Sequence, residues 1–255
     1  MLEFRLMHTL CEIRHGESAT NQLATAQGQD RLHESFVREY DNDPDSELAH
    51  LLACEVFARM TELTKDRDIP LSDAAEQQVR TAARFTQTLI AVPDVVYVSP
   101  FKRTVDTLDI MQNEWPALRD VPVLVDERLR EQDRGLLEHF KSWRVLNVFH
   151  PELRTQREAE GRYMHRYPGA ENMPDVEERV GNWLHSAEKD YPGSNVLAVT
   201  HVGTIIATRA VLEMLSPSQV MDLHTHDTPR NASATIYRRA AGHLTLQAYN
   251  VAAAE

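Results

Sequence analysis

Cysteine is nearly absent: Cys11 and Cys54 are the only two in 255 residues. That count leaves no disulfide framework, and neither residue sits in a CxxC pair that would mark a metal or redox site. Both are expected as buried thiols. Also missing is any run of about eighteen apolar residues, and MLEFRLMH at the start carries charge where a signal peptide needs an unbroken apolar stretch. A folded soluble chain in the cytoplasm, with no membrane partner, is the expectation. Positive charge is in short supply, since 27 Lys and Arg are scattered among 39 Asp and Glu for a net charge of −12. Such a surface repels polyanions, which argues against nucleic acid as a partner. Repeats and low-complexity tracts are lacking too. What remains is a 42% hydrophobic chain, enough for one large core or two modest ones.

Strand-like runs alternate with helical patterns, which predicts a mostly parallel sheet with helices on both faces. The runs are TLCEI (9–13), VVYVS (95–99), VPVLVD (121–126), NVLAVT (195–200), SATIYRR (233–239) and HLTLQAY (243–249). The last two flank a short turn and should form an antiparallel hairpin at one edge. Apolar residues at three- and four-residue spacing predict helices over 72–91, 100–113, 174–190 and 203–215. Two stretches break this rhythm. Asp30 to Asp68 is acidic, with a turn at DNDPDS and a helical run SELAHLLACEVFARMTEL behind it; Gly135 to Tyr167 carries Trp143, Phe149 and Tyr163 among scattered Lys and Arg. Connections this long usually cover or serve a site, so both read as cap insertions in a single domain spanning 1–255.

The chemistry is concentrated at strand ends. CEIRHGESATN (11–21) delivers Arg14 and His15 from a buried-type strand into a glycine turn. In VSPFKRTVDT (98–107), Ser99 is a fitting N-cap and Pro100 a fitting first helical residue, which places Arg103 in the first turn. A third strand ends in THVGT (200–204) with His201 before a glycine and an apolar helix. Taken singly, Arg103 reads as a solvated arginine and His201 as a structural histidine. Together they put two histidines and two arginines at one sheet edge, where helix N-termini also offer N–H groups to an anion. That combination points to phosphate.

These residues resemble the histidine phosphatase superfamily, also called phosphoglycerate mutase-like. Its Arg-His-Gly signature is matched by Arg14, His15 and Gly16 with Glu17 behind, and further family-like stretches follow in order: IPLSDAAEQQ (69–78), SPFKRTVDT (99–107), DERLREQDRG (126–135), RYPGAENMPDVEERV (166–180) and THVGT. The resemblance implies a three-layer α/β/α sandwich with a mostly parallel sheet, one antiparallel edge strand and helical cap insertions. It also implies a phosphatase acting on a small phosphorylated metabolite without metal or cofactor. A phosphoglycerate mutase-type phosphotransferase and a non-catalytic interaction module are the alternatives. By the same resemblance His15 is the nucleophile, Arg14, Arg103 and His201 hold the phosphate oxygens, and Glu131 is the proton donor in RLREQDRG. Asn21 is a further phosphate contact.

Substrate choice is assigned to the cap, with Lys141, Arg144, Arg154, Arg157, Arg162 and Arg166 available. RYMHRYPG (162–169) looks like the bisphosphatase domain of the bifunctional fructose-2,6-bisphosphate enzymes, which makes Arg166 a substrate contact. It departs from that domain at Gly169 and Ala170, and at Val202 and Ile206, where the domain has glutamine and arginine. Val202 stands at a substrate-binding position. His224, His226 and Asp227 read as a returning loop rather than a metal site, because ligands at i and i+2 need partners. The Met and Leu positions of EVFARMTEL and AVLEML are read as core. A homodimer is possible through the Asp30 to Asp68 insertion, which is otherwise a lid.

Overall fold

The structure is a computed structural model that describes residues 7–22, 30–59, 65–140 and 142–253. Residues 1–6 of the charged start, 60–63 of the helical run and Lys141 lie outside the described residues. In chain order the elements are β1 (Thr9–Arg14), α1 (Arg31–Asn42), α2 (Glu47–Arg59), α3 (Ala75–Leu89), β2 (Val95–Val98), α4 (Lys102–Glu114) and β3 (Val123–Val125). They continue as α5 (Leu136–Phe140), α6 (Trp143–Phe149), α7 (Pro151–Glu160), α8 (Met173–Asp190), β4 (Asn195–Thr200), α9 (Val202–Glu213), α10 (Pro217–His226), β5 (Ala234–Ala240) and β6 (His243–Val251). The chain divides into two compact units, one of Met1–Ala19, Arg67–Glu131 and Asp175–Glu255, the other of Thr20–Asp66 with Gln132–Pro174.

The first unit is built on one six-stranded sheet in the order β3-β2-β4-β1-β5-β6. The pairs β3 with β2, β2 with β4 and β4 with β1 are parallel; β5 runs antiparallel to β1, and β6 turns back beside it. Strands buried on both faces explain the continuous apolar runs VVYV and NVLAV. On one face Cys11, Ile13, Val96, Val98, Leu197 and Val199 meet Val79 and Ala83 of α3 and Leu108 and Met111 of α4. On the other, the fully buried Trp183 of α8 packs edge-on against Tyr97 of β2 at 5.6 Å between ring centres, worth about 1 kcal/mol beyond the area it buries. The layered fold expected from the alternation is present.

The second unit gathers both long insertions. Asp30 caps α1 by accepting from the Leu32 N–H at 3.2 Å, and Ser142 caps α6 by accepting from Val145. Phe36 and Tyr40 of α1, Ala53 and Val56 of α2, and Val145 and Val148 of α6 share a core. Ion pairs Arg144–Asp41 (3.2 Å) and Arg154–Asp45 (2.7 Å) tie the two segments at the surface. Arg144 and Arg157 both stack on Trp143, at 4.4 and 4.3 Å.

Several expectations are corrected. Cys11 is buried, but Cys54 is exposed, because it lies one residue past the inward-facing Ala53 on α2. The acidic insertion holds a second helix, α1, ahead of the expected one. Met214 of AVLEML is 88% exposed, because it leaves α9 with a left-handed φ of 53° and so points off the core stripe; Met60 and Leu63 of EVFARMTEL lie outside the described residues. His224 and His226 are in the last turn of α10 rather than a loop, and only Asp227 follows it. The signal was upstream, in Ser216, Pro217 and Gln219, which make a capping box. Among the described residues, no helix is long and apolar enough to cross a membrane.

Candidate active site

Arg14 ends β1 and His15 follows it, His201 follows β4, Arg103 sits in the first turn of α4 after β2, and Glu131 comes after β3 and a short 3-10 turn over Glu127–Leu129. All five lie in the first unit, at the carboxyl ends of parallel strands, where open α/β sheets hold ligands. The His15 N–H donates to the Thr200 carbonyl at 3.0 Å, which locks the two strand ends in register. Gly16 is required by space: a Cβ there would stand 2.6 Å from Val79 Cγ2. Its N–H donates to Thr107 Oγ1 at 3.0 Å, and Thr107 donates in turn to the Arg103 carbonyl at 2.7 Å. The turn carrying His15 is thereby fixed to the helix carrying Arg103.

The His15 ring is buried, with Nδ1 donating to the Gly16 carbonyl at 2.6 Å, so the lone pair is on Nε2. Arg103 Nε donates to that Nε2 at 3.2 Å. Burial, then the Arg103 and Arg14 charges, push the His15 pKa well below its ordinary value, outweighing the Gly16 bond. The imidazole is a neutral base. His201 stands 5.2 Å away edge-on and is also held neutral, by burial first and then by Arg103, His15, Arg179 and Arg14. Ser99 Oγ lies 2.7 Å from His201 Nε2 and accepts from the Phe101 N–H at 3.4 Å; when the Ser99 hydroxyl donates to Nε2, the His201 ring proton is on Nδ1.

This role corrects the expectation for Ser99 and Pro100. Ser99 is fully buried against His201, and α4 starts at Lys102 with Phe101 as its uncapped boundary. Phe101 lies edge-on to His201 at 5.0 Å and beneath the Arg103 guanidinium at 4.9 Å. Arg103 is 4% exposed and therefore no surface arginine.

Arg14 Nη1 donates to the Pro229 carbonyl at 2.6 Å. Its pKa falls to about 10, through burial and the nearby Arg103 charge, against the opposing pull of Glu131. Arg14 Nε and His201 Nδ1 are buried without a hydrogen-bond partner, and an unsatisfied buried donor costs about 1–3 kcal/mol. These two unpartnered atoms, with the Arg103 guanidinium beside them, suit a doubly charged oxyanion. Glu131 Oε1 accepts from the Gly203 N–H at 3.0 Å, at the start of α9, which orients the carboxyl group. Val202 is the half-buried first residue of α9, and Ile206 is fully buried in its core-facing side.

Asn21 and Arg166 belong to the second unit. Sequence reasoning missed Asn231, whose Nδ2 donates to the His15 and Gly16 carbonyls at 3.1 and 3.2 Å, and Ala232, whose N–H is shared by the Arg14 and His15 carbonyls. Only the TPRN turn ahead of β5 hinted at them. Among the described residues no group of three or more His, Cys, Asp or Glu is arranged to hold a metal ion.

A doubly wound sheet whose carboxyl edge sets a neutral, oriented histidine among arginines defines a candidate oxyanion site. The sequence profile of the histidine phosphatase superfamily (branch 1) matches residues 57–252, and the chain belongs to that family. The match takes in Arg103, Glu131 and His201 and begins after the Arg14–His15 turn. A phosphoglycerate mutase-like protein of Arabidopsis thaliana, AT74H, is 31% identical over 137 residues, 50% of this chain and 46% of its own length. The chain thus spans less than half of that relative. The 2,3-bisphosphoglycerate-dependent phosphoglycerate mutase 2 of Gloeobacter violaceus is 31% identical over 160 residues, 60% of this chain and 68% of its own. The alpha-ribazole phosphatase of Shigella flexneri shares the fold, with a TM-score of 0.65 over 95% of this chain and 96% of its own at 18% identity.

Proposed function

We propose that this chain hydrolyses small phosphomonoesters through a phosphohistidine on His15. The observation that carries the reading is the neutral His15 ring, tied at Nδ1 to Gly16 with its Nε2 lone pair turned to Arg103. Phosphate oxygens take over the Arg103 donor, together with Arg14 Nε and His201 Nδ1, and so free Nε2. The Nε2 lone pair forms the N–P bond while the P–O bond to the alcohol breaks, and Glu131 gives its proton to the departing oxygen. Water then attacks phosphorus, Glu131 takes back a proton, and the P–N bond breaks to restore His15. The arginines neutralise charge on the equatorial oxygens throughout.

Asn21, Arg166 and Val202 are proposed as substrate contacts on the strength of the family resemblance. The likeness to the Gloeobacter violaceus mutase supports a second reading, phosphotransfer between the hydroxyls of a phosphoglycerate. Phosphate release from 3-phosphoglycerate, compared with isomer formation in the presence of 2,3-bisphosphoglycerate, separates the two. For the acid, Glu131→Gln should slow turnover of alkyl phosphates by about two to four decades and of p-nitrophenyl phosphate far less, because nitrophenolate leaves without a proton. An equal loss on both substrates would remove Glu131 from the acid role.

A further inference from the structure

The turn over Pro229–Ala232, just ahead of β5, is fitted closely to the turn that carries His15. The Pro229 carbonyl accepts from Arg14 Nη1 at 2.6 Å, and Asn231 Nδ2 donates to the His15 and Gly16 carbonyls at 3.1 and 3.2 Å. The Ala232 N–H is shared between the Arg14 and His15 carbonyls, at 3.1 Å from each. Each carbonyl from Arg14 to Gly16 therefore has a donor from this one turn. The turn is itself braced from β6, where Asn250 Oδ1 accepts from the Arg230 N–H at 2.7 Å and Asn250 Nδ2 donates to the Thr228 carbonyl at 3.2 Å. Ala232 holds a left-handed φ of 56° while only 3% exposed, a conformation that an L side chain rarely adopts. Strain of that kind persists where the surroundings impose it, and it gathers at functional sites.

The Gly16 carbonyl has a second duty, because it also accepts from His15 Nδ1 at 2.6 Å and so decides which ring nitrogen carries the proton. Gly16 has no side chain to hold the peptide that follows it, and a glycine backbone turns freely. Both groups facing the Asn231 amide are carbonyl oxygens, so its nitrogen and not its oxygen must point at them. We infer that Asn231 is a positioning residue for the nucleophile: its amide pins the Gly16 carbonyl against the His15 ring, which keeps the ring proton on Nδ1 and the lone pair on Nε2. The inference rests on the reading of His15 as nucleophile. With the carbonyl released, the proton can pass to Nε2 and be donated to a phosphate oxygen, leaving no lone pair there for phosphorus.

Imidazole nitrogen shifts of the isotope-labelled protein with inorganic phosphate bound read the tautomer without any turnover, His15 being identified by its absence from His15→Ala. The parent should show one tautomer, with the proton on Nδ1. Asn231→Leu has nearly the same shape, no charge and no donor, and it should show a mixture, as should Asn231→Ala. In both variants kcat on p-nitrophenyl phosphate should fall on the order of ten- to a hundredfold, the loss usual for a group that orients a ligating histidine, while inorganic phosphate binds as it does to the parent. Should both variants unfold, hydrogen exchange of the Asn231 side-chain amide in the parent still decides, since a donor to two carbonyls exchanges more slowly than a solvated amide. Unchanged kcat, a single Nδ1 tautomer in both folded variants, an equal loss of phosphate binding, or an Asn231 amide exchanging at the solvated rate would each overturn the inference. A parent ring protonated on Nδ1, mixed tautomers in the variants, and no phosphate trapped on His15 would instead sink the phosphohistidine reading and leave the tautomer lock standing.

Discussion

At the scale of single residues, the unusual property of this site is that both histidines are uncharged among two arginines. For His15 and His201 the direction is set by burial first and neighbouring guanidinium charge second. A group held below its ordinary pKa keeps its neutral form further into acid, so the His15 ring stays neutral well under pH 6.5. The acid limb of kcat/KM should therefore follow the second ionisation of the substrate phosphate, moving when substrates of different phosphate pKa are compared. A limb fixed near 6.5 for every substrate would mean that an ordinary histidine is titrating. Arg14, His15 and His201 were legible because each sits where an apolar strand meets a glycine turn. Ser99, Thr107 and Asn231 were not, since their work depends on partners 102, 91 and 216 residues away.

At the scale of elements, strand positions were legible from apolar runs, and helix boundaries moved by a few residues. A periodic pattern says which residues are inside, not where a backbone finds its last hydrogen bond. β1 nonetheless hides a residue that its pattern does not explain. Glu12 is fully buried; its Oε1 accepts from Thr208 of α9 at 2.8 Å, and its Oε2 has no partner. Burial raises its pKa to about 8, against the opposing Thr208 bond. Below the ordinary glutamate value of 4.5 both folded and unfolded chains hold this proton; between there and about 8 only the folded chain does. Stability from Glu12 is therefore complete in acid and falls as pH rises to about 8. Glu12→Gln keeps an acceptor for Thr208 and gives Thr235, directly across on β5, a donor. The variant should melt several degrees higher than the parent at pH 8 and about equally at pH 4.5. A parent that gains on the variant as pH rises would refute the neutral buried carboxyl.

At the scale of the whole molecule, the sheet core and the core of the insertions differ in how legible they were. The sheet core is spelled out by six apolar runs. The core of Phe36, Tyr40, Val56, Val145 and Val148 is assembled from segments about a hundred residues apart, and no local period records that pairing. Both insertions were visible as breaks in the α/β rhythm, but their union was not. The proposed function rests on one event, transfer of phosphorus to His15. Rapid acid-free quench of the protein with labelled substrate, followed by peptide mapping, tests it directly. The account predicts acid-labile, alkali-stable label on His15 that decays at the rate of phosphate release and is absent from His15→Ala, which should retain almost no turnover. Label on another residue, or full turnover by His15→Ala, would contradict it.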